Sequence, residues 1–498
     1  MSAYRDLERR FRRLGVIGDA IGLLQWDHAT TMPEGGAEAR AEQLATLRVL
    51  GHELLTDPQL ADLLAAADEE DGAWRADPWA RANLREMHRV HGHATAVPPE
   101  LIEAEAKASA ACGMAWRRAR PEDDYAGLVP ALSEVLHLVR EIAAAKGAAL
   151  GLDPYDALLD AYEPGTRAAR LDAIFAELAG FLGDALPRVL ERQRQSAPAL
   201  KPEGPFPADK QRALCERLMR AVGFDFSRGR LDVSHHPFCG GASDDVRITT
   251  RYDESDFTSA IMGVLHETGH AMYELGLPKA WRYQPVGVAR GMAVHESQSL
   301  LIEMQACRSM EFLRFAAPLM RDDLGGAGPA WEPDNLYRLY TKVEPGLIRV
   351  DADEVTYPAH IILRFRLERA LIAGDLALAD LPGAWRDAMD ELLGIVPPND
   401  RLGCLQDIHW PSGEFAYFPT YTLGALAAAQ VFAAARGDRP EILPAIAGGD
   451  FAPLMAWLGE HVHARASLLA ADELIREATG SALDPAHFEA HIEARYLG

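Results

Sequence analysis

The chain is short of cysteine, of cationic charge and of long apolar runs. Its five cysteines, Cys112, Cys215, Cys239, Cys307 and Cys404, are odd in number and scattered, and none forms a C-x-x-C pair. That pattern argues against a disulfide framework and for a reducing compartment. Lys plus Arg total 50 against 74 Asp plus Glu, a formal net charge of −24. Nucleic acid and anionic membrane are poor partners for such a surface. The longest apolar run, Leu423 to Ala435, is interrupted by Gln430 and is too short to cross a bilayer. The first ten residues are charged and lack the apolar core of a signal peptide, so the expected location is the cytoplasm. There is also no G-x-S-x-G elbow, no Walker loop and no dinucleotide fingerprint in a strand-to-helix context.

What the chain has in abundance is helical periodicity. Leu128 to Gly151, Leu171 to Arg194, Arg212 to Val222 and Leu423 to Arg436 repeat apolar residues at three- and four-residue intervals and are rich in alanine. The exception is Arg230 to Tyr252. There Leu231–Ser234 and Val246–Tyr252 alternate, carry β-branched residues and are separated by Gly240-Gly241, which predicts a small antiparallel sheet. Lys201–Pro207 and Gly325–Pro329 have loop compositions, but neither is long enough for a flexible linker. The expectation is one mostly α domain over residues 1–498, with an N-terminal helical subregion to about residue 200 and a catalytic part from about 201.

The most informative stretch is His266-Glu267-Thr268-Gly269-His270. On a helix, residues four apart share a face, so the two imidazoles can bind one metal ion. Glu267 then stands beside the metal without ligating it, where the general base for a metal-activated water belongs. Apolar Val264, Leu265, Ala271 and Met272 flank the motif and bury the helix. A two-His, one-carboxylate site needs a third ligand from another element, and Glu296 on a downstream helix fits. His295, Glu303 and Glu274 compete with it, and spacing alone does not choose among them. A second cluster, His88, His91 and His93, lacks a carboxylate or cysteine partner and contains Gly92, so it is not assigned a metal.

Six motifs then fall into a recognisable order: His236-Pro237-Phe238, Asp245 to Thr249, His266 to His270, His295-Glu296-Ser297-Gln298, Ile348 to Asp353, and Gly403 to Trp410. With Trp26-Asp27, Met32-Pro33 and Tyr162 to Gly165, they make the chain resemble the carboxypeptidase Taq family of metallocarboxypeptidases over most of its length. The resemblance implies His266, His270 and Glu296 as ligands, with His295 pointing elsewhere on its helix. It further implies an almost entirely helical fold with a deep groove, a homodimer, and zinc or cobalt as cofactor. The implied activity removes single residues from the free C-terminus of peptides with broad specificity and poor release of proline. Relatives commonly place arginine and tryptophan where this chain has Leu300-Leu301-Ile302, and threonines where it has Cys239-Gly240-Gly241, which bears on fine specificity and on the dimer contact.

The remaining roles are expectations from residue chemistry. A tetrahedral oxyanion needs a donor besides the metal, and Tyr421 or His409 can serve, Tyr421 being preferred. A free α-carboxylate suits a guanidinium, and Arg349 is the first choice. Arg247, His236 and the Gln406 to Trp410 segment, including Asp407, are expected to line the groove and close its end. The alternative to a carboxypeptidase is an endo-acting oligopeptidase or dipeptidyl carboxypeptidase on a similar groove.

Overall fold

The computed structural model describes residues 2–498, and helices dominate it. Helices α1 (Ala3–Thr30), α2 (Ala37–Thr56), α3 (Pro58–Glu69) and α4 (Pro78–Thr95) come first. The Asp-Pro pairs at 57–58 and 77–78 start α3 and α4: proline suits the first helical position, and each aspartate accepts from the N–H of Gln59 or Trp79. Tyr4, Leu7, Phe11, Leu60, Leu64 and Met87 form a small core that joins α1, α3 and α4. Next come α5 (Pro99–Glu122), α6 (Tyr125–Leu150), α7 (Pro154–Tyr162), α8 (Ala168–Gln195) and α9 (Ala208–Val222). After three strands the chain returns to helix with α10 (Thr258–Gly276), α11 (Gly291–Leu300), α12 (Met310–Leu324), α13 (Pro333–Tyr340), α14 (Tyr357–Ala373), α15 (Leu381–Leu393) and α16 (Pro419–Asp438). Short helices complete it. One continuous core runs from Cys112 to Tyr496 through these elements. Among the described residues no helix is long and apolar enough to cross a membrane, and no cysteine is in a disulfide.

The expected sheet is present, but it is mixed where an antiparallel pair was expected. Strand β1 (Gly229–Val233) runs parallel to the central β3 (Asp245–Thr250), and β2 (Phe238–Ala242) is antiparallel to β3 on its other side. Gly240-Gly241 reads as a break because glycine is rare in strands, yet both residues lie inside β2. Gly241 has φ +103°, and a side chain on it would lie 2.2 Å from the Asp245 carbonyl oxygen. Counting this third strand changes the direction of the pairing.

The helix that carries Glu296 is anchored at its start by two buried carboxylates from distant parts of the chain. Glu163, at the end of α7 and 1% exposed, accepts from the backbone N–H of Ala293 in the first turn of α11. Burial pushes its carboxyl up to about 8 in spite of that N–H and nearby Arg290. Glu86 of α4 takes the Arg290 guanidinium at 2.7 Å, with both side chains almost fully buried. Burial works against the charge on Glu86, but Arg290 and Arg89 outweigh it and hold the carboxyl below its ordinary range. The folded-state pKa is therefore the lower one, so this stabilisation is complete above the unfolded value of about 4.3 and is lost as pH falls through the folded one. Glu86→Ala strands a buried cation and is expected to cost about 3–5 kcal/mol at pH 7. Urea unfolding of both proteins from pH 7 to pH 3 should show that cost shrinking below about pH 4.

Candidate metal centre and groove

The metal-site geometry depends on how closely α10 and α11 approach. A side chain on Gly269 would lie 2.4 Å from the Gln298 carbonyl oxygen and 2.6 Å from Ser299 Cα, so only glycine allows the contact. Across it, Glu296 Oε2 stands 3.3 Å from His270 Nε2 and 3.8 Å from His266 Nε2. One donor atom from each of the three residues lies within 4.8 Å of the others. Ser299 Oγ donates to the Glu296 carbonyl at 2.6 Å and lies 3.3 Å from its Oε2.

Both imidazoles are fixed from behind. His266 Nδ1 is 3.0 Å from Glu303 Oε2. His270 Nδ1 is 2.6 Å from His295 Nδ1, and His295 Nε2 is 2.8 Å from Glu274 Oε1. An ionised carboxylate can only accept, so His295 donates through Nε2 and accepts at Nδ1, and His270 donates through Nδ1. Glu303 sets His266 the same way. The Nε2 atoms facing Glu296 are thereby the ones available as ligands. His295, expected to point elsewhere on its helix, turns towards the outer nitrogen of His270. Glu303, weighed beforehand only as a rival ligand, sits on a π-helical turn, Leu301–Ala306, that continues α11, and it is paired with Arg308 at 2.5 Å.

The donor set fits a divalent ion. Burial would lower the His266 pKa, but Glu296 and Glu303 outweigh it and raise it to about 10, so the two carboxylates favour positive charge at His266. His270, where burial dominates, falls to about 4, and Glu296 is held down near 2 by the two histidines against its own burial. Glu267 is 7% exposed, and burial lifts its carboxyl to about 7, a value suited to exchanging a proton near neutral pH.

Glu267, His266 and Glu296 open on a groove. Its inner part, about 660 Å³, has His266, Glu267 and Glu296 on one wall and Arg349, Asp407, His409 and Tyr421 on another, with His236 and Gln406 also lining it. Past His236 and Pro237 it widens into a stretch of about 1350 Å³, with Trp116 and Arg120 shared between the two. Arg349 pairs with Asp407, through Nε at 3.0 Å and Nη2 at 2.9 Å, and with neither Asp351 nor Asp353. Arg364, fully buried, holds the other oxygen of Asp407, whose carboxyl stays well below the usual range because the two guanidiniums outweigh burial. Gln406 accepts from the Arg349 backbone N–H and donates to the carbonyls of Leu347 and Gly403, so its amide braces the loop. His409 Nε2 is 3.4 Å from the Tyr421 hydroxyl, and burial pushes the imidazole down to about 4 and the phenol well up. Both carry a proton to donate at neutral pH.

Arg247 is the expected groove residue that lies elsewhere. Strand alternation does turn it away from buried Val246 and Ile248, but the face it reaches belongs to α1. Its guanidinium pairs with Asp245 at 3.0 and 2.6 Å and stacks 4.5 Å over Trp26, and it does not line the groove. The His88, His91 and His93 cluster is dispersed, with His88 against Asp68 and His93 against Asp160. Tyr357, Trp116 and Arg120 line the groove and were not picked out from sequence. For Tyr357 a signal existed, since it follows the Ile348 to Asp353 motif at a helix start.

The model of the carboxypeptidase Taq (M32) metallopeptidase family matches residues 6–496. Thermostable carboxypeptidase 1 of Thermus thermophilus is 39% identical over 99% of this chain and 98% of its own length. Carboxypeptidase 1 of Bacillus subtilis is 32% identical over 97% and 96%. Among solved structures, metallocarboxypeptidase 1 of Trypanosoma cruzi superposes with a TM-score of 0.97 at 41% identity, covering 100% of this chain and 99% of that one. The M32 carboxypeptidase of Deinococcus radiodurans gives 0.93 at 34%, again over 100% and 99%. With its groove, its donor triad and these likenesses over the full chain, the protein belongs to the carboxypeptidase Taq (M32) family and is a metal-dependent carboxypeptidase.

Proposed function

We propose that the chain releases single amino acids from the free C-terminus of peptides, using one divalent ion held by His266, His270 and Glu296. The carrying observation is the convergence of these three donors, with both histidines fixed from behind, beside Glu267 on a groove wall. Zinc suits two imidazoles and a carboxylate, and cobalt is the second choice. When bound, the ion supplies Lewis acidity for water and the scissile carbonyl. Glu267 takes a proton at its carboxylate and returns it to the leaving amine. Tyr421 and His409 donate to the carbonyl oxygen as charge develops there. Arg349, oriented by Asp407, receives the terminal carboxylate, with Gln406 bracing the loop and His236 lining the approach. Arg247 is left to its pairing with Asp245.

We further propose broad specificity with slow release of proline, a homodimer and a cytoplasmic location, readings that the family likeness and a composition with unpaired thiols support. Residues 1–498 act as one unit in this reading, the N-terminal helices to about residue 200 contributing Trp116 and Arg120 to the groove. The wide continuation of the groove is the feature that favours the alternative, an endo-acting or dipeptidyl enzyme.

Mass spectrometry of an N-blocked peptide, with a free or an amidated C-terminus, separates these. The expected result is a metal-dependent ladder of single-residue losses from the free acid alone; internal cuts or dipeptide release would overturn it. Glu267→Gln should keep metal affinity while kcat/KM falls roughly 10²–10⁴-fold. Glu303→Ala should weaken metal binding about 10–100-fold in calorimetry.

A further inference from the structure

We propose that Gly424 is a positioning residue for the metal centre: the absence of a side chain on this turn of α16 lets Glu296 hold its carboxylate opposite the two histidines. The inference rests on the reading of Glu296 as a ligand. A Cβ at position 424 would lie 2.7 Å from both Cβ and Cγ of Glu296 and 3.3 Å from the Ala293 carbonyl oxygen. Carbon atoms pack at about 3.5–4.0 Å, so the overlap approaches 1 Å. It also falls on the stem of Glu296, not on a flexible tip that could swing aside.

Neither helix has room to retreat. On its other face α11 meets α10 through Gly269, where Gln298 and Ser299 already sit against the glycine backbone. Moving α16 would carry away Tyr421, which lies one turn before Gly424 and faces the groove. A new rotamer moves Cγ but not Cβ, so relief requires a local shift of α11 at Glu296 together with a change of χ1, and both take the carboxylate away from the point 3.3 Å from His270 and 3.8 Å from His266. Gly424 therefore contributes shape to the metal site although it has no atom that could touch the metal.

The test is calorimetric titration of the full-length, chelator-stripped protein with Zn²⁺, comparing wild type, Gly424→Ala and Glu296→Ala. Gly424→Ala should bind zinc at least tenfold more weakly, and KM for peptide at saturating metal should stay near wild type. If Glu296→Ala loses zinc while Gly424→Ala binds within threefold of wild type, the role of Gly424 is overturned and the ligand assignment stands. If Glu296→Ala binds zinc as wild type does, the ligand assignment itself fails. Urea unfolding of the metal-free proteins gives the second readout, with Gly424→Ala combined with Glu296→Gly, which removes the clashing stem. Restored stability or folding in the double variant, with zinc affinity still lost, supports the contact. Destabilisation by Gly424→Ala that is equal in both backgrounds contradicts it.

Discussion

The close contact of α11 with α10 on one face and α16 on the other is the constraint on which the rest of the site depends. Gly269 and Gly424 supply it from the two sides, and Glu296 lies between them. Metal coordination tolerates displacements of only a few tenths of an ångström, and helices with ordinary side chains at their contact stay 8–10 Å apart. Bringing a carboxylate from one helix to imidazoles on another thus requires a backbone-to-backbone approach that only glycine permits. The remote carboxylates Glu163 and Glu86 then fix the start of α11, so the close contact is held at its end as well as along its length.

Charge is the second organising theme. Two buried carboxylates at the centre are paired, Glu303 lying between His266 and Arg308 and Asp407 being shared by Arg349 and Arg364, while half-exposed Glu274 accepts from His295. Pairing keeps Glu303 and Asp407 ionised in an interior that would otherwise neutralise them. Glu267 has no such cationic partner in direct contact, and burial leaves it near 7, apart from its neighbours. The residue proposed to exchange a proton is thus the carboxylate at this wall whose charge is least secured.

Much of this was legible in the residues. The helical segments, the strand region and the two-histidine motif follow from local periodicity and spacing, which depend on near neighbours in sequence. The direction of the sheet did not follow, because Gly240-Gly241 acts through a close backbone approach that composition reads as a break. The destination of Arg247 was half legible: alternation specifies which face a strand residue takes, not which element covers that face. Arg349 pairs with Asp407, 58 residues away, and not with the nearby Asp351 or Asp353, and no local pattern encodes that choice. The contact of His295 with His270 was not legible for the same reason, since it depends on how α10 and α11 are placed.

In the proposed centre, Nε2 of His266, Nε2 of His270 and a carboxylate oxygen of Glu296 bind one ion, with His295 and Glu303 behind them. Anomalous diffraction at the zinc edge from crystals of the zinc-loaded chain tests this most directly. The predicted result is one zinc peak per chain with those three atoms at about 2.0–2.2 Å. A peak ligated by His295 or Glu303 in place of Glu296, or one lying away from α10, would contradict it.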